Sequence, residues 1–124
     1  MISDDLLSFI RASIRSTWAL ELLLLMRKQA PQASAPDELV RALRSTSTLI
    51  TTCLEQLQQA GLIVREDSGL WRYAPAAPSL DQLTEQLAAA YAERPVAIIN
   101  AIVTTPNDRL KSFADAFRLP KKDD

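Results

Sequence analysis

The sequence predicts a mainly α-helical protein that carries one small β-hairpin. Most of the chain repeats apolar residues at helical spacing, which is typical of amphipathic helices. One β-prone run, 62–64, is followed by the turn-forming residues 67–69 and by a second run at 70–73, which is the pattern of a hairpin. The chain has two glycines, Gly61 and Gly69, and both fall where a turn calls for an unusual backbone angle.

Two helices are predicted at the start of the chain. The first has Ser3 as its N-cap, and the acidic residues Asp4 and Asp5 favour its positive end. The second runs from Trp18 to Gln29. Because this second helix is apolar nearly all round, we expect it to be buried on more than one side.

A helix–turn–helix is predicted next. Ser34 is the expected N-cap of a short helix whose apolar face includes Leu39 and Leu43. A polar run, 44–48, interrupts this pattern, and Ser45 is the expected cap of a longer helix. The two helices are therefore joined by a tight turn.

The longer helix, Ser45–Gln59, has an apolar stripe and a polar side. The stripe consists of Ile50, Cys53, Leu54 and Leu57. The opposite side carries Ser45, Thr48, Thr52, Glu55 and Gln59, with Thr51 and Gln56 at its edges. We therefore expect Cys53 to be a small core residue, with a redox-sensing thiol as the alternative.

Aromatic residues of the hairpin are expected to pack against the helices. Trp71 and Tyr73 alternate and so lie on one face of a strand. Packing is the preferred interpretation and a ligand pocket is the alternative. Trp18 is a further candidate for the same cluster.

The composition predicts two regions joined by a linker. Residues 75–78 contain two prolines and are expected to be extended and stiff. They separate residues 1–74 from a C-terminal helical region, residues 79–124. Ser79 is the expected cap of the first C-terminal helix, through a capping box with Gln82.

A further helix is predicted at 96–103, and a last helix, capped within 105–108, has Leu110 and Phe117 on its apolar face before a charged tail at 121–124. These helices cannot bury Ile98, Phe113 and their other apolar residues alone, so they need the rest of the chain or a second subunit as cover. We prefer the second subunit.

Residues 1–75 resemble the winged helix-turn-helix domain of bacterial transcription regulators, broadly the MarR group. The resemblance is carried by Leu39, Leu43, Ser45–Thr48, the run Leu54–Ile63 and Trp71–Tyr73. It implies a winged helix-turn-helix with N- and C-terminal helical extensions that binds duplex DNA. It also implies a homodimer formed through the terminal helices.

The resemblance implies that the longer helix enters the major groove and that the wing, Glu66–Gly69, lies on the flanking backbone. Hydroxyl groups can contact phosphates or base edges, and arginines can hold phosphates. Glu55 argues against deep insertion unless its carboxylate accepts a hydrogen bond from cytosine. The expected DNA-binding residues are Arg41, Arg44, Ser45, Thr46, Ser47, Thr48, Thr51, Thr52, Arg65 and Arg72.

The charge of the chain supports a rival interpretation. Net charge is −1, and residues 1–74 balance their basic and acidic side chains, whereas DNA-binding domains usually have a basic excess. The alternative is a winged-helix protein–protein interaction module without DNA binding. A DNA-binding chain this neutral would need to act as an oligomer, which doubles its phosphate contacts.

Other classes of function are disfavoured by the residue inventory. The chain has one cysteine and no histidine, so zinc fingers and histidine-based catalysis are excluded. It has no glycine-rich phosphate loop, and we expect no enzyme activity, metal or cofactor. No apolar run is long enough to span a membrane, and the acidic N-terminus is unlike a secretion signal, so we expect a cytoplasmic protein.

Overall fold

The computed structural model describes residues 2–103. Over that range the chain forms six helices and a two-stranded antiparallel sheet. These elements are α1 (Asp4–Ser13), α2 (Thr17–Gln29), α3 (Pro36–Leu43), α4 (Ser47–Gln59), β1 (Ile63–Arg65), β2 (Trp71–Tyr73), α5 (Pro78–Glu93) and α6 (Pro95–Val103).

Helix α2 lies at the centre of the fold. It contacts α3, α4, α6 and β2, so it is covered on several sides, as its sequence predicts. Its N-cap is Ser16, whose hydroxyl accepts a hydrogen bond from the backbone N–H of Ala19 at 3.1 Å. The buried residues of α2 are Ala19, Leu20, Leu22, Leu23 and Met26.

Helices α3 and α4 form the predicted helix–turn–helix, and both pack against α2. Gly61, at φ 80°, follows the C-cap of α4 in the left-handed region. The backbone N–H of Leu62 then donates to the carbonyl of Leu57 at 3.1 Å, which closes the helix end. Gly61 thus has the unusual backbone angle that the sequence predicts, at the end of α4.

The hairpin begins two residues after Gly61, at Ile63. Ile63 pairs with Tyr73 and Arg65 with Trp71, and Gly69 adopts φ 92° in the turn. Ser34 adds an isolated bridge, because its N–H and carbonyl both bond to the backbone of Trp71, at 2.8 and 2.9 Å. A helix–turn–helix followed by such a hairpin is a winged helix, so the predicted fold class is confirmed.

The first helix of the motif is capped differently from the prediction. Its N-cap is Ala35, not Ser34. The Glu38 carboxylate accepts a hydrogen bond from the backbone N–H of Ala35 at 2.9 Å. A side chain of the first turn of α3 therefore satisfies the backbone N–H of the N-cap residue. Ser34 is instead held by its bridge to Trp71, and its hydroxyl donates to Gln29 Oε1 at 2.9 Å.

Two other predicted caps are also wrong. The N-cap of α4 is Thr46, one residue beyond Ser45. Helix α5 begins at Pro78 with Ala77 as its N-cap, so Ser79 lies inside the first turn. Proline at the first helical position has no N–H to satisfy, which explains the earlier start.

The C-terminal helices pack on the N-terminal part of the chain. Helix α5 contacts α1, and α6 contacts both α1 and α2. Leu87, Ile98 and Ile102 are thereby buried within one subunit, in the same core as the winged helix. Val96 and Val103 of α6 stay exposed, at 69% and 56%. The predicted last helix and the 121–124 tail lie outside the described residues.

Candidate nucleic-acid interface

Helix α4 presents one apolar and one polar face. Ile50, Cys53, Leu54 and Leu57 are buried, as the stripe in the sequence predicts. The polar face is open to solvent and is not covered by α5 or α6. Its exposed members among the predicted residues are Thr46, Ser47, Thr48, Thr51 and Thr52.

Two exposed arginines lie at the end of α3: Arg41 in its last turn and Arg44 just beyond it, in the turn that leads to α4. Arg44 is the C-cap of α3 and adopts φ 54°, ψ 47° in the left-handed region. A side chain other than glycine is strained there by about 1–2 kcal/mol. Ser45 differs from its predicted neighbours, since its hydroxyl oxygen is buried and has no hydrogen-bond partner among the described residues.

The hydroxyl groups of α4 are not equivalent. Thr46 Oγ1 accepts from the backbone N–H of Leu49 at 3.2 Å, so Thr46 caps the helix and its own proton can still be donated. Thr52 Oγ1 donates to the carbonyl of Thr48 at 3.0 Å, so its proton is already used. Thr52 therefore offers a partner its methyl group and an acceptor.

The two arginines of the hairpin have different surroundings. Arg72 Nε donates to Glu66 Oε2 at 2.9 Å, which joins the two sides of the wing by an ion pair. Arg65 is exposed and forms no ion pair within residues 2–103. The sequence predicts that both reach DNA, but of the two only Arg65 has its charge unpaired.

A depression of about 380 Å³ lies between α4 and the hairpin. Thr51, Glu55 and Gln58 form its helical wall, and Arg65 and Trp71 form its opposite wall. The exposed face of α4 and the wing are thus continuous, with acidic and basic side chains in one concavity. Sequence reasoning missed Gln58 here, although its helical spacing from Thr51 places it on the same face.

The aromatic residues only partly follow the prediction. Trp71 and Tyr73 are buried in the core, which confirms that they pack on one face. Trp18 does not join them: it is 39% exposed and lines a separate cleft of about 530 Å³ with Glu21, Leu43 and Arg44, among others. The prediction for Trp18 is therefore wrong. Trp18 lines a cleft with the C-terminal end of α3, and no residue of the hairpin lines that cleft.

Cys53 is a core residue, as predicted. It is buried, and its Sγ lies 4.0 Å from Ser16 Oγ. Burial raises the pKa of the Cys53 thiol, against a smaller lowering by Ser16. A thiol that is buried and protonated is unreactive, which argues against redox sensing.

A polar junction that sequence reasoning missed joins the hairpin to α5 and α2. Tyr73 Oη donates to Asp81 Oδ1 at 2.6 Å, and Arg27 Nε lies 3.6 Å from the same oxygen. Burial raises the pKa of Tyr73, and the bond to Asp81 raises it further. We call Arg27, Tyr73 and Asp81 the polar junction. These residues are far apart in sequence or cross the linker, so no periodic pattern indicates them.

Metal clusters and membrane spans are both absent from the described part of the chain. Residues 2–103 contain no group of three or more acidic or cysteine side chains arranged to hold a metal ion. In the same range, no helix has both the length and the apolar character needed to cross a bilayer.

Comparisons with known proteins do not assign this chain to a family. No protein-family model matches the chain, and no curated protein matches it. One similar solved structure is that of a mutant of Lactococcus lactis ZitR, at a TM-score of 0.49 and 15% sequence identity. The alignment covers 89% of this chain and 75% of that chain. The winged-helix assignment therefore rests on the helix–turn–helix and the hairpin themselves.

Proposed function

We propose that this protein is a sequence-specific regulator of transcription that binds duplex DNA. The observation that carries the proposal is the exposed hydroxyl face of α4, flanked by Arg41, Arg44 and Arg65. In this arrangement α4 enters the major groove and the hairpin lies on the flanking backbone. Hydroxyls and unpaired guanidinium groups are the side chains that commonly contact phosphates.

The left-handed conformation of Arg44 supports the proposal. Glycine would adopt this conformation without strain, yet the position carries a cationic side chain. Residues held in unfavourable backbone conformations are often functional. An arginine in the turn is well placed to hold a phosphate beside the start of α4.

The small number of unpaired arginines favours a dimer. Arg27 and Arg72 are engaged with Asp81 and Glu66, which leaves three on the proposed interface. Two subunits would present six arginines, with a slope of log affinity against log salt of about −5 if all contact phosphates. A two-fold dimer would also match a site with half-sites roughly one helical turn apart.

We propose that the region 79–124, which contains α6 and all of α5 except Pro78, contributes to this homodimer. Val96 and Val103 are exposed on α6 and lie seven residues apart, on one face of that helix. Exposed aliphatic side chains in such a row favour contact with another apolar surface. Residues 1–74 would then form the DNA-binding unit.

Charge reversal at the end of α3 tests the proposal. Arg41→Glu with Arg44→Glu should lower affinity for duplex DNA on the order of 100-fold at low salt, because two phosphate contacts per subunit become repulsive. Fluorescence anisotropy measures the affinity, and genome-wide capture of bound DNA supplies the duplexes. The matched control is Arg11→Glu with Arg15→Glu, which changes two exposed arginines near the end of α1 by the same charge.

Unchanged DNA retention by the Arg41/Arg44 variant would contradict the proposal. Solution mass is recorded for each protein, so that a lost dimer is not mistaken for a lost contact.

A protein–protein interaction module is the second candidate. It is favoured by the net charge of −1 and by the ion pair that occupies Arg72. In that case the wild-type protein would show no salt-dependent binding to any duplex. The exposed face of α4 or the exposed residues of α6 would then hold a protein partner.

A further inference from the structure

Glu55 lies near the middle of the exposed face of α4. At about 100° per residue, Glu55 falls between Thr51 and Thr48 around the helix axis. It is exposed, and it is the one ionisable side chain of that face. Any surface that α4 contacts through its threonines will therefore meet this carboxylate.

Nothing in the described part of the chain uses the Glu55 carboxylate. No ion pair or hydrogen bond to it is formed within residues 2–103. The residues three and four positions away are Thr51, Thr52, Gln58 and Gln59, so α4 gains no helix-stabilising charge pair from Glu55. A solvated surface glutamate would look the same, but it would have no influence on which duplexes the protein selects.

The other side chains of α4 restrict what the helix can read. Ser47–Gln59 contains no arginine, lysine or asparagine. The common contacts of arginine or lysine with guanine are therefore missing from this helix, and of its side chains only the glutamines, Gln56, Gln58 and Gln59, can pair with adenine through both N6 and N7. Threonine methyl groups can pack on thymine methyl groups, and Thr52, whose proton is used internally, is suited to that contact.

A carboxylate can only accept hydrogen bonds, which selects the base it can read. In the major groove cytosine offers the N4 amino group as a donor. Adenine also offers an amino group, but its neighbouring N7 is an acceptor and repels a carboxylate. Glu55 therefore favours cytosine.

Repulsion between Glu55 and the phosphates is the main cost of this contact. Arg65 lines the same depression as Glu55 but lies beyond ion-pair distance from it. A cation in that position lowers the repulsion without occupying the carboxylate oxygens. Glu66 differs, because its carboxylate is already bonded to Arg72.

We propose that Glu55 determines the sequence specificity of α4 by accepting a hydrogen bond from the amino group of one cytosine in each half-site. Neighbouring A·T pairs place thymine methyl groups against Thr48, Thr51 and Thr52. This inference rests on the proposed DNA binding.

Selection from a pool of random duplexes tests the inference with three proteins: the wild type, Glu55→Gln and Glu85→Gln. Glu85 is exposed on α5, so its variant makes the same charge change away from the interface. The wild type and Glu85→Gln should enrich one fixed cytosine per half-site. Glu55→Gln should lose that cytosine and favour adenine there, because glutamine pairs with adenine N6 and N7.

Affinity measurements on the selected duplex make the test quantitative. Replacing the fixed C·G pair by T·A should weaken wild-type binding about fivefold or more, and Glu55→Gln binding less than about twofold. The inference is overturned if Glu55→Gln selects the same sequences as the wild type, or if the wild type fixes no cytosine. If none of the three proteins enriches any duplex at low salt, DNA binding itself is overturned.

Discussion

The exposed face of α4 and the polar junction are both rich in polar side chains, but they use them differently. In the junction, Tyr73 donates a hydrogen bond to Asp81, and Arg27 lies at ion-pair distance from the same carboxylate without a hydrogen bond from its Nε. On α4, Thr48, Thr51 and Glu55 point to solvent with their side chains mostly unpaired. Polar groups that pair within the chain stabilise the fold, whereas groups left unpaired on one continuous face are available to a partner. The contrast predicts opposite consequences of mutation in the two regions.

The largest effect is expected from Leu87→Ala, on the same helix as Asp81 of the polar junction. Leu87 is fully buried on α5 in the core shared with the winged helix. Truncation should lower the free energy of unfolding by about 2–5 kcal/mol, through lost burial and a residual cavity. Urea denaturation should remain a single transition for the wild type and the variant. Two transitions, or a loss below about 1 kcal/mol, would show that α5 is not part of that core.

A smaller loss is expected from Tyr73→Phe. Removing the hydroxyl deletes its bond to Asp81 and should lower the free energy of unfolding by about 1–2 kcal/mol at neutral pH. Because the Asp81 side chain is 48% exposed, water can replace part of the lost contact. Urea denaturation measures the change.

The same variant tests the pH dependence. The pKa of Tyr73 is raised above its ordinary value of 10.0. The contribution of its hydroxyl to the free energy of unfolding is therefore fully present below pH 10 and is lost as the pH rises further. Tyr73→Phe should lose less stability than the wild type between neutral pH and pH 11. Tyr91, whose pKa is raised by its bond to Glu21 and less by burial, supplies the comparison variant Tyr91→Phe. Equal alkaline loss in Tyr73→Phe and the wild type would contradict the assignment.

The smallest effect, and one of opposite sign, is expected in the turn before α4. Arg44→Gly should relieve the left-handed strain and raise the free energy of unfolding by up to about 1 kcal/mol. The same change should weaken DNA binding, because a phosphate contact is lost. Arg44→Ala is the matched variant: it removes the charge and keeps the strain. If Arg44→Gly is no more stable than Arg44→Ala, the left-handed conformation is not costly.

Local signals predict much of the fold. Ser3 caps α1, Gly61 follows α4 and Gly69 lies in the hairpin turn, each within a few residues of the pattern that indicates it. The buried stripe of α4 is correct for the same reason. Helical periodicity and left-handed glycines are properties of short segments, which one sequence contains in full.

Long-range contacts explain the errors. The prediction of Ser34 as a cap is wrong because its bridge to Trp71 cannot be read from nearby residues. Burial of Ile98 within one subunit also depends on how distant helices meet. Ser45 and Thr46 are adjacent and can both cap a helix, so the sequence alone does not distinguish them, and the structure uses Thr46. The ion pair of Glu66 and Arg72 could have been predicted, since a hairpin turn brings these two residues together.

Mapping a bound duplex on the protein by nuclear magnetic resonance tests the central claim most directly. A duplex from the random-pool selection is titrated into labelled protein, and shifts are followed for each residue. Changes should concentrate on Thr48, Thr51 and Arg65, and be small at the polar junction. Changes centred on α5 and α6, or none at all at low salt, would contradict a DNA-binding role for the exposed face of α4.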